Sequence, residues 1–185
     1  MADEFNVQGG VFKNKKIPIL ESSKGHSNFT TSIMKKAVFS MIDSHAMSGS
    51  LVLEDALFVD LFSGSGQMAL EALSRGFHKV HLFEIDIKRF SGLKKNLSLY
   101  SENMIFHHKD SFRYYDKIEE KENFSLVYFL DPPYTFWEGG KMLNLIDSLK
   151  AIKNCKKIYI QSPKVLKDLE VEGRRFGNCY ISELD

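Results

Sequence analysis

The amino-acid sequence predicts an α/β fold: a doubly wound, mainly parallel sheet, with an antiparallel C-terminal hairpin and a short N-terminal hairpin plus helix. Three observations carry that reading. An apolar run, Phe58-Val59-Asp60-Leu61-Phe62, turns through Ser63-Gly64-Ser65-Gly66 and continues over residues 67–73 with apolar side chains at helical spacing. That is the buried strand, tight turn and helix that open a nucleotide-binding domain. Further apolar strands then alternate with amphipathic helices. Polar residues recur at the carboxyl ends of those strands, the edge where open sheets bind ligands.

The bulk properties narrow the class. A chain of 185 residues fits one domain, read here as 1–185, with residues 1–45 as an N-terminal hairpin and helix and 51–185 as the core. Apolar residues at 43% and charged residues at 26% exclude wholesale disorder. A net charge of +1 excludes a passive nucleic-acid coat, so any nucleic-acid contact must come from a local patch. Cys155 and Cys179 lack metal-ligand spacing and fit thiols in a reducing cytoplasm. No run reaches membrane-spanning length and the polar N-terminus is not a signal peptide, so a cytoplasmic location is expected. None of the histidines has ligand spacing, and no metal is expected.

In chain order, alternating apolar positions around Asn14 predict a hairpin carrying Lys13, Lys15 and Lys16. Taken alone, the fragment suits a solvated turn better than a phosphate-tracking arm. Residues 21–29 read as a loop, after which Thr30 or Thr31 caps a helix. Its apolar face is Ile33, Met34, Ala37, Val38, Met41 and Ile42, with Lys35 and Lys36 off that face, and residues 43–50 form a loop. Strands are expected at 57–62, 79–83, 104–107, 125–130 and 157–161. Helices are expected from the glycine turn to 75, at 87–99 with a basic outer face of Lys88, Arg89, Lys94 and Lys95, at 111–118, at 140–149 and near 165–169. Residues 171–176 and 178–184 close the chain as a hairpin around Gly177.

The strand ends supply the candidate site. The first gives Asp60 and the turn, the second Glu84, twenty positions after Gly64, and the third leads to Asp110. Asp60 suits holding the turn as well as touching a ligand. Glu84 suits ribose hydroxyls better than it suits a bare strand-end acid. Asp110 suits capping the helix that begins at Ser111 as well as meeting an adenine. The fourth strand ends in Asp131-Pro132-Pro133-Tyr134. Two prolines stop the ladder and fix a rigid turn that aims the Asp131 carboxylate and the Pro132 carbonyl at one point. Two converging acceptors match the two donors of an exocyclic amine, and Tyr134 offers a ring on which its base can stack.

At these residues the chain resembles the S-adenosylmethionine-dependent amino-methyltransferases, whose signature is Asp/Asn-Pro-Pro-aromatic. Within them it is similar to the bacterial 16S rRNA (guanine-N2)-methyltransferases of the small, RsmD-like family. Gly9-Gly10, Leu70-Glu71-Ala72-Leu73-Ser74-Arg75-Gly76, Glu84-Ile85-Asp86 and Arg174-Arg175-Phe176-Gly177 carry the resemblance along most of the chain. Where the family usually has Arg-Pro, this chain has Asn28-Phe29. The resemblance implies a Rossmann-like class I methyltransferase that binds S-adenosylmethionine through Asp60, Phe62, Ser63, Gly64, Ser65, Gly66, Glu84, Ile85, Asp110 and Ser111. It implies catalysis at Asp131, Pro132, Pro133 and Tyr134 on the N2 amine of a guanine flipped from the RNA. Lys13, Lys15, Lys16, Lys35 and Lys36, with Arg174 and Arg175 as further candidates, would track phosphates. The implied partner is 16S rRNA in a 30S subunit or its precursor, met by a monomer.

Other readings fit parts of the chain. Gly64-x-Gly66-x-x-Ala69 alone also suits a nicotinamide oxidoreductase, which leaves Asp131-Pro132-Pro133-Tyr134 unexplained. A DNA adenine or cytosine amino-methyltransferase shares that second motif. A non-catalytic RNA-binding assembly protein would account for the altered segment from Asn28 to Lys36.

Overall fold

The structure, a computed structural model, describes residues 4–19, 31–166, 169, 171 and 173–185. The predicted loop at 21–29, the Thr30 cap and the Asn28-Phe29 departure lie outside the described residues, as does part of the helix expected at 165–169. Strands β1 (Glu4–Asn6) and β2 (Lys16–Pro18) pair antiparallel with Phe5 opposite Ile17. Asn14 takes the left-handed φ of 70° in their connection, consistent with its local hydrogen-bonding side chain.

Helix α1 (Ser32–Met47) is capped by Thr31, whose hydroxyl accepts the Met34 N–H at 3.3 Å. It overruns the expected loop at 43–50. Its last turns are held by His45, whose Nε2 lies 2.5 Å from Glu183 in the C-terminal strand. Its buried stripe is Met34, Lys35, Val38, Phe39 and Ile42, one step round from the expected face, with Ile33 68% exposed.

The main sheet contains β3 (Ala56–Asp60), β4 (Lys79–Phe83), β5 (Met104–His107), β6 (Ser125–Leu130), β7 (Cys155–Ser162), β8 (Gly173–Phe176) and β9 (Cys179–Leu184). Its order is β5-β4-β3-β6-β7-β9-β8, parallel from β5 to β7, with β9 and β8 antiparallel. This is the expected mainly parallel, doubly wound sheet with its terminal hairpin. The chain steps outward from β3 through β4 to β5, then returns to β6 on the other side of β3. The carboxyl ends of β3 and β6 therefore form the topological switch point.

Every residue of β3 is buried, as continuous apolar strands in parallel sheets must be. Alternate residues serve two cores. Ala56 and Phe58 face the N-terminal hairpin, α1, α2 (Gln67–Arg75) and α3 (Ile87–Leu97). Leu57, Val59 and Leu61 face α5 (Lys141–Lys150) with Met142, Leu145, Ile146 and Leu149. Helix α3 stops at Leu97, with a 3-10 stretch to Asn103, and α4 (Ser111–Tyr114) is one turn long. Both are shorter than expected, while β7 is longer because its ends pair with β6 and β9.

Candidate active site

A cavity of about 640 Å³ opens at the carboxyl ends of β3, β4 and β6. Its first wall is the turn after β3. Asp60 is buried, and its Oδ1 accepts the Phe62 N–H at 3.3 Å. Burial holds the Asp60 carboxyl well above the usual carboxylate range, with the nearby charges of Asp131 and Glu84 adding to the effect. Asp60 thus ties the turn and also lines the cavity. Ser63 anchors the turn by donating from N to the Phe83 carbonyl and from Oγ to the Asp60 carbonyl, both at 2.9 Å.

The two glycines divide. Gly64 lines the cavity at φ 50°, and a Cβ there would meet nothing within 4 Å. Gly66, at φ 76°, is turned the other way: a Cβ would lie 2.5 Å from Leu93 Cδ1 and 2.6 Å from Leu97 Cδ1. Gly66 is not among the residues lining the cavity; it packs against the leucines of α3, letting α2 and α3 close on one another.

Glu84 follows β4 directly and is buried at the cavity wall. Its Oε1 accepts the Asp86 N–H at 2.8 Å, and the nearby Gly64 backbone adds slightly in favour of the charged form. Burial raises its pKa against these effects and the nearby Arg89 charge. Asp110 caps α4, accepting the Phe112 N–H at 3.0 Å, and it also faces the cavity. Ser111 donates its hydroxyl to the Leu61 carbonyl, while Ile85 sits at the rim, 63% exposed.

Asp131, Pro132, Pro133 and Tyr134 form the opposite wall. Tyr134 starts a single 3-10 turn to Trp137 and is 39% exposed. It neighbours Cys179 of β9, whose sulfur lies 3.3 Å from Met34 Sδ of α1. Burial raises the Tyr134 hydroxyl pKa, with the negative charge of Asp131 among the lesser causes. The tyrosine is thereby neutral and partly exposed at the cavity wall.

Sequence reasoning named Phe62 but missed Phe112, Phe136, Lys141 and Arg89 as wall residues. Phe62, Phe112 and Phe136 form an aromatic cluster with centroids 5.4–6.2 Å apart, and the Lys141 ammonium lies 3.7 Å from the Phe112 centroid. Phe112 and Phe136 stand two positions after Asp110 and Tyr134, so a scan of aromatics just past the strand ends would have found them. Arg89 and Lys141 also line the cavity, and Lys141 had no local signal. Among the described residues, no group of three or more His, Cys, Asp or Glu side chains is placed to hold a metal ion.

The expected phosphate-tracking residues separate too. Lys13, Lys15, Lys16 and Lys36 are exposed. Lys16 pairs with Glu4 at 2.7 Å, and Lys15 lies over the rings of Phe12 and Tyr100 at 5.3 and 5.6 Å. Lys35 cannot serve as expected. It is 1% exposed, its ammonium 3.4 Å from Glu71 and 2.5 Å from the Asn6 carbonyl, and burial lowers its pKa against the pull of Glu71. It pins the hairpin to the core. The hairpin turn sits on the last turn of α2, with Val11 N donating to the Ser74 carbonyl at 2.8 Å and Phe12 N to Ser74 Oγ at 2.9 Å. Gly10 allows that approach, since a Cβ would fall 1.7 Å from the Ser74 oxygen. The turn is therefore docked at the end of α2 away from the cavity.

An acidic basin beside a bare glycine backbone, an aromatic cluster and a half-exposed tyrosine suits a ligand with a cationic centre, hydroxyls and a planar ring. Residues 5–175 match the family described as "Conserved hypothetical protein 95". The chain is 29% identical over 162 residues to the Ribosomal RNA small subunit methyltransferase D of Buchnera aphidicola subsp. Acyrthosiphon pisum, covering 86% of this chain and 75% of that protein. It is 27% identical over 164 residues to the protein of the same name from Haemophilus influenzae, covering 87% and 80%. Among solved structures it superposes on a putative methyltransferase, yhhF, from Escherichia coli with a TM-score of 0.69 at 20% identity, over 98% of this chain and 97% of that one. It also superposes on SMU.1697c, a putative methyltransferase from Streptococcus mutans in complex with SAH, with a TM-score of 0.56 at 14% identity, over 77% and 95%. At such identities these two structures share the fold.

Proposed function

The chain belongs to the conserved hypothetical protein 95 family, and from that premise we propose that it transfers a methyl group from S-adenosylmethionine to the exocyclic N2 amine of a guanine in 16S rRNA. The observation that carries this reading is the meeting of the glycine turn, Glu84 and Asp131-Pro132-Pro133-Tyr134 around one cavity. The relatives' names support rRNA methylation, and the SAH held by a protein of the same fold supports the cofactor.

S-adenosylmethionine supplies an electrophilic methyl group on a sulfonium cation. The residues of this chain bind and orient. Gly64 leaves room for a ligand to lie against the backbone. Glu84, fixed by the Asp86 N–H, receives ribose hydroxyls, and Asp110 and Ser111, which line the cavity beside Phe112, meet the adenine edge. A cation between Asp60, Glu84 and Asp131 offsets the burial that raises the Asp60 and Glu84 carboxyls and the repulsion felt at Asp60, so the three together favour one there. Asp131 and the Pro132 carbonyl accept from the guanine amine and orient its nitrogen. Tyr134, partly exposed at the cavity wall, offers its ring to the base. Lys13, Lys15, Lys16 and Lys36 contact phosphates, and the enzyme acts in the cytoplasm as a monomer on the 30S subunit or its precursor.

The test is transfer of labelled methyl from S-adenosylmethionine to purified 30S subunits lacking guanine-N2 methylation, with Asp131→Ala in parallel. The expected result is N2-methylguanosine in 16S rRNA, reduced at least 100-fold by the substitution, on the order of losing an oriented acceptor. Cofactor binding without transfer to subunits or naked 16S rRNA overturns the substrate assignment.

A further inference from the structure

We propose that the RNA strand flanking the target runs along α3, which forms a phosphate-binding track from the cavity wall to the N-terminal hairpin. This inference rests on the proposed rRNA substrate and names the surface that would hold it.

Helix α3 contains Lys88, Arg89, Lys94 and Lys95 and, beyond its cap, no acidic residue. The cap Asp86 is engaged, its Oδ1 accepting the N–H groups of Lys88 and Arg89, both at 2.9 Å. Lys88, Lys94 and Lys95 are exposed, and none forms an ion pair among the described residues, whereas Lys16, Lys35, Lys79 and Lys157 are each neutralised by a carboxylate. At one end of the helix Arg89 lines the cavity. At the other, Asn96 Nδ2 donates to the Pro18 carbonyl at 2.7 Å and Tyr100 packs on Phe12, so the hairpin with Lys13 and Lys15 abuts α3. The six-residue step from Arg89 to Lys95 rises about 9 Å. Cations thus run from the cavity to the hairpin without an intervening acid on the helix. The docked turn lies away from the cavity, so one RNA strand reaching both must cross the surface between them, and α3 occupies it. Such a track fits an extended polyanion, and it gives a chain with net charge +1 a local basic surface for RNA.

The experiment uses the full-length protein and an unmodified 16S rRNA transcript. Affinity is measured as a function of salt for the wild type and for the triple variant Lys88→Gln, Lys94→Gln, Lys95→Gln. A second triple, Lys150→Gln, Lys153→Gln, Lys156→Gln, removes the same charge from another exposed region. Loss of three phosphate contacts lowers the slope of log affinity against log salt by about 2–3. At ~0.1 M salt that corresponds to an affinity loss on the order of 100-fold. The expected result is that loss for the α3 triple alone, with S-adenosylmethionine affinity unchanged and with RNA affinity restored by the three Lys→Arg substitutions. An unchanged slope in the α3 triple, equal losses in both triples, or failure of the arginine triple overturns the track while leaving the methyltransferase reading intact. A wild type that neither binds nor methylates the transcript or 30S subunits overturns both.

Discussion

Replacing Gly66 and Gly64 separately by alanine should produce two different defects, although the glycines stand two positions apart in one motif. Both have positive φ, 76° and 50°, which costs an alanine about 1 kcal/mol. At Gly64 nothing else opposes the methyl group, because its Cβ would meet open space. At Gly66 the methyl would lie 2.5 and 2.6 Å from two buried leucine carbons of α3, and neither leucine has room to retreat. Overpacking of that kind adds about 1–3 kcal/mol, so Gly66→Ala should cost about 3 kcal/mol in total. For a chain of this length that is a fall in Tm of about 6–12 °C. Urea unfolding followed by circular dichroism measures the stability, and calorimetric titration measures S-adenosylmethionine affinity. Gly64→Ala should lose about 1 kcal/mol of stability but tenfold or more in cofactor affinity, since its methyl enters the cavity. Equal destabilisation by the two substitutions, or unchanged cofactor affinity in Gly64→Ala, would refute the division of roles.

Three other expectations come from the packing. Gly10→Ala should undock the hairpin turn, losing two hydrogen bonds to Ser74 and adding backbone strain, about 3 kcal/mol in all; faster amide exchange at Val11 and Phe12 checks it. Glu71→Gln should destabilise by about 3–5 kcal/mol in urea unfolding, because it leaves the buried Lys35 ammonium without its counter-charge and weakens the contact with Arg75 at 3.1 Å. His81, buried against His107 at 3.0 Å, has its pKa pushed down to about 3, chiefly by burial. Between that value and the ordinary pKa of about 6.5 the unfolded chain binds the extra proton, so this stability contribution is lost as pH falls through that window. The slope is at most about 1.4 kcal/mol per pH unit. The raised pKa values of Asp60 and Glu84 act in the opposite sense, so the measurement is the difference between wild type and His81→Phe from pH 7 to pH 4, which should shift in favour of the variant.

The site was legible where one residue type at a strand end has few structural uses. Asp131-Pro132-Pro133-Tyr134, Glu84 and Asp110 all line the cavity, because the carboxyl ends of parallel strands share an edge whatever packs on the sheet's faces. Lys141 was not legible: it opens α5, well past the strand end, and only folding of the intervening turn over the cavity brings its ammonium to Phe112 and Phe136.

By itself the sequence determined the strands and their order of use. Runs such as Ala56–Asp60 and Ser125–Leu130 are apolar on both faces, and only a covered parallel sheet accommodates them. It also determined where the chain turns, since glycine and proline act through their own backbone. Tertiary structure decided between neighbours. Lys35 and Lys36 are alike in sequence, yet Glu71 and the Asn6 carbonyl claim the first, and burying its charge is possible only because both are there. Gly64 and Gly66 are alike in the motif, yet the leucines of α3 lie behind the second alone. Helix α1 continues to Met47 because His45 finds Glu183, 138 residues away. Local pattern specifies what a segment becomes; which of its faces is buried depends on partners that distant parts of the chain supply.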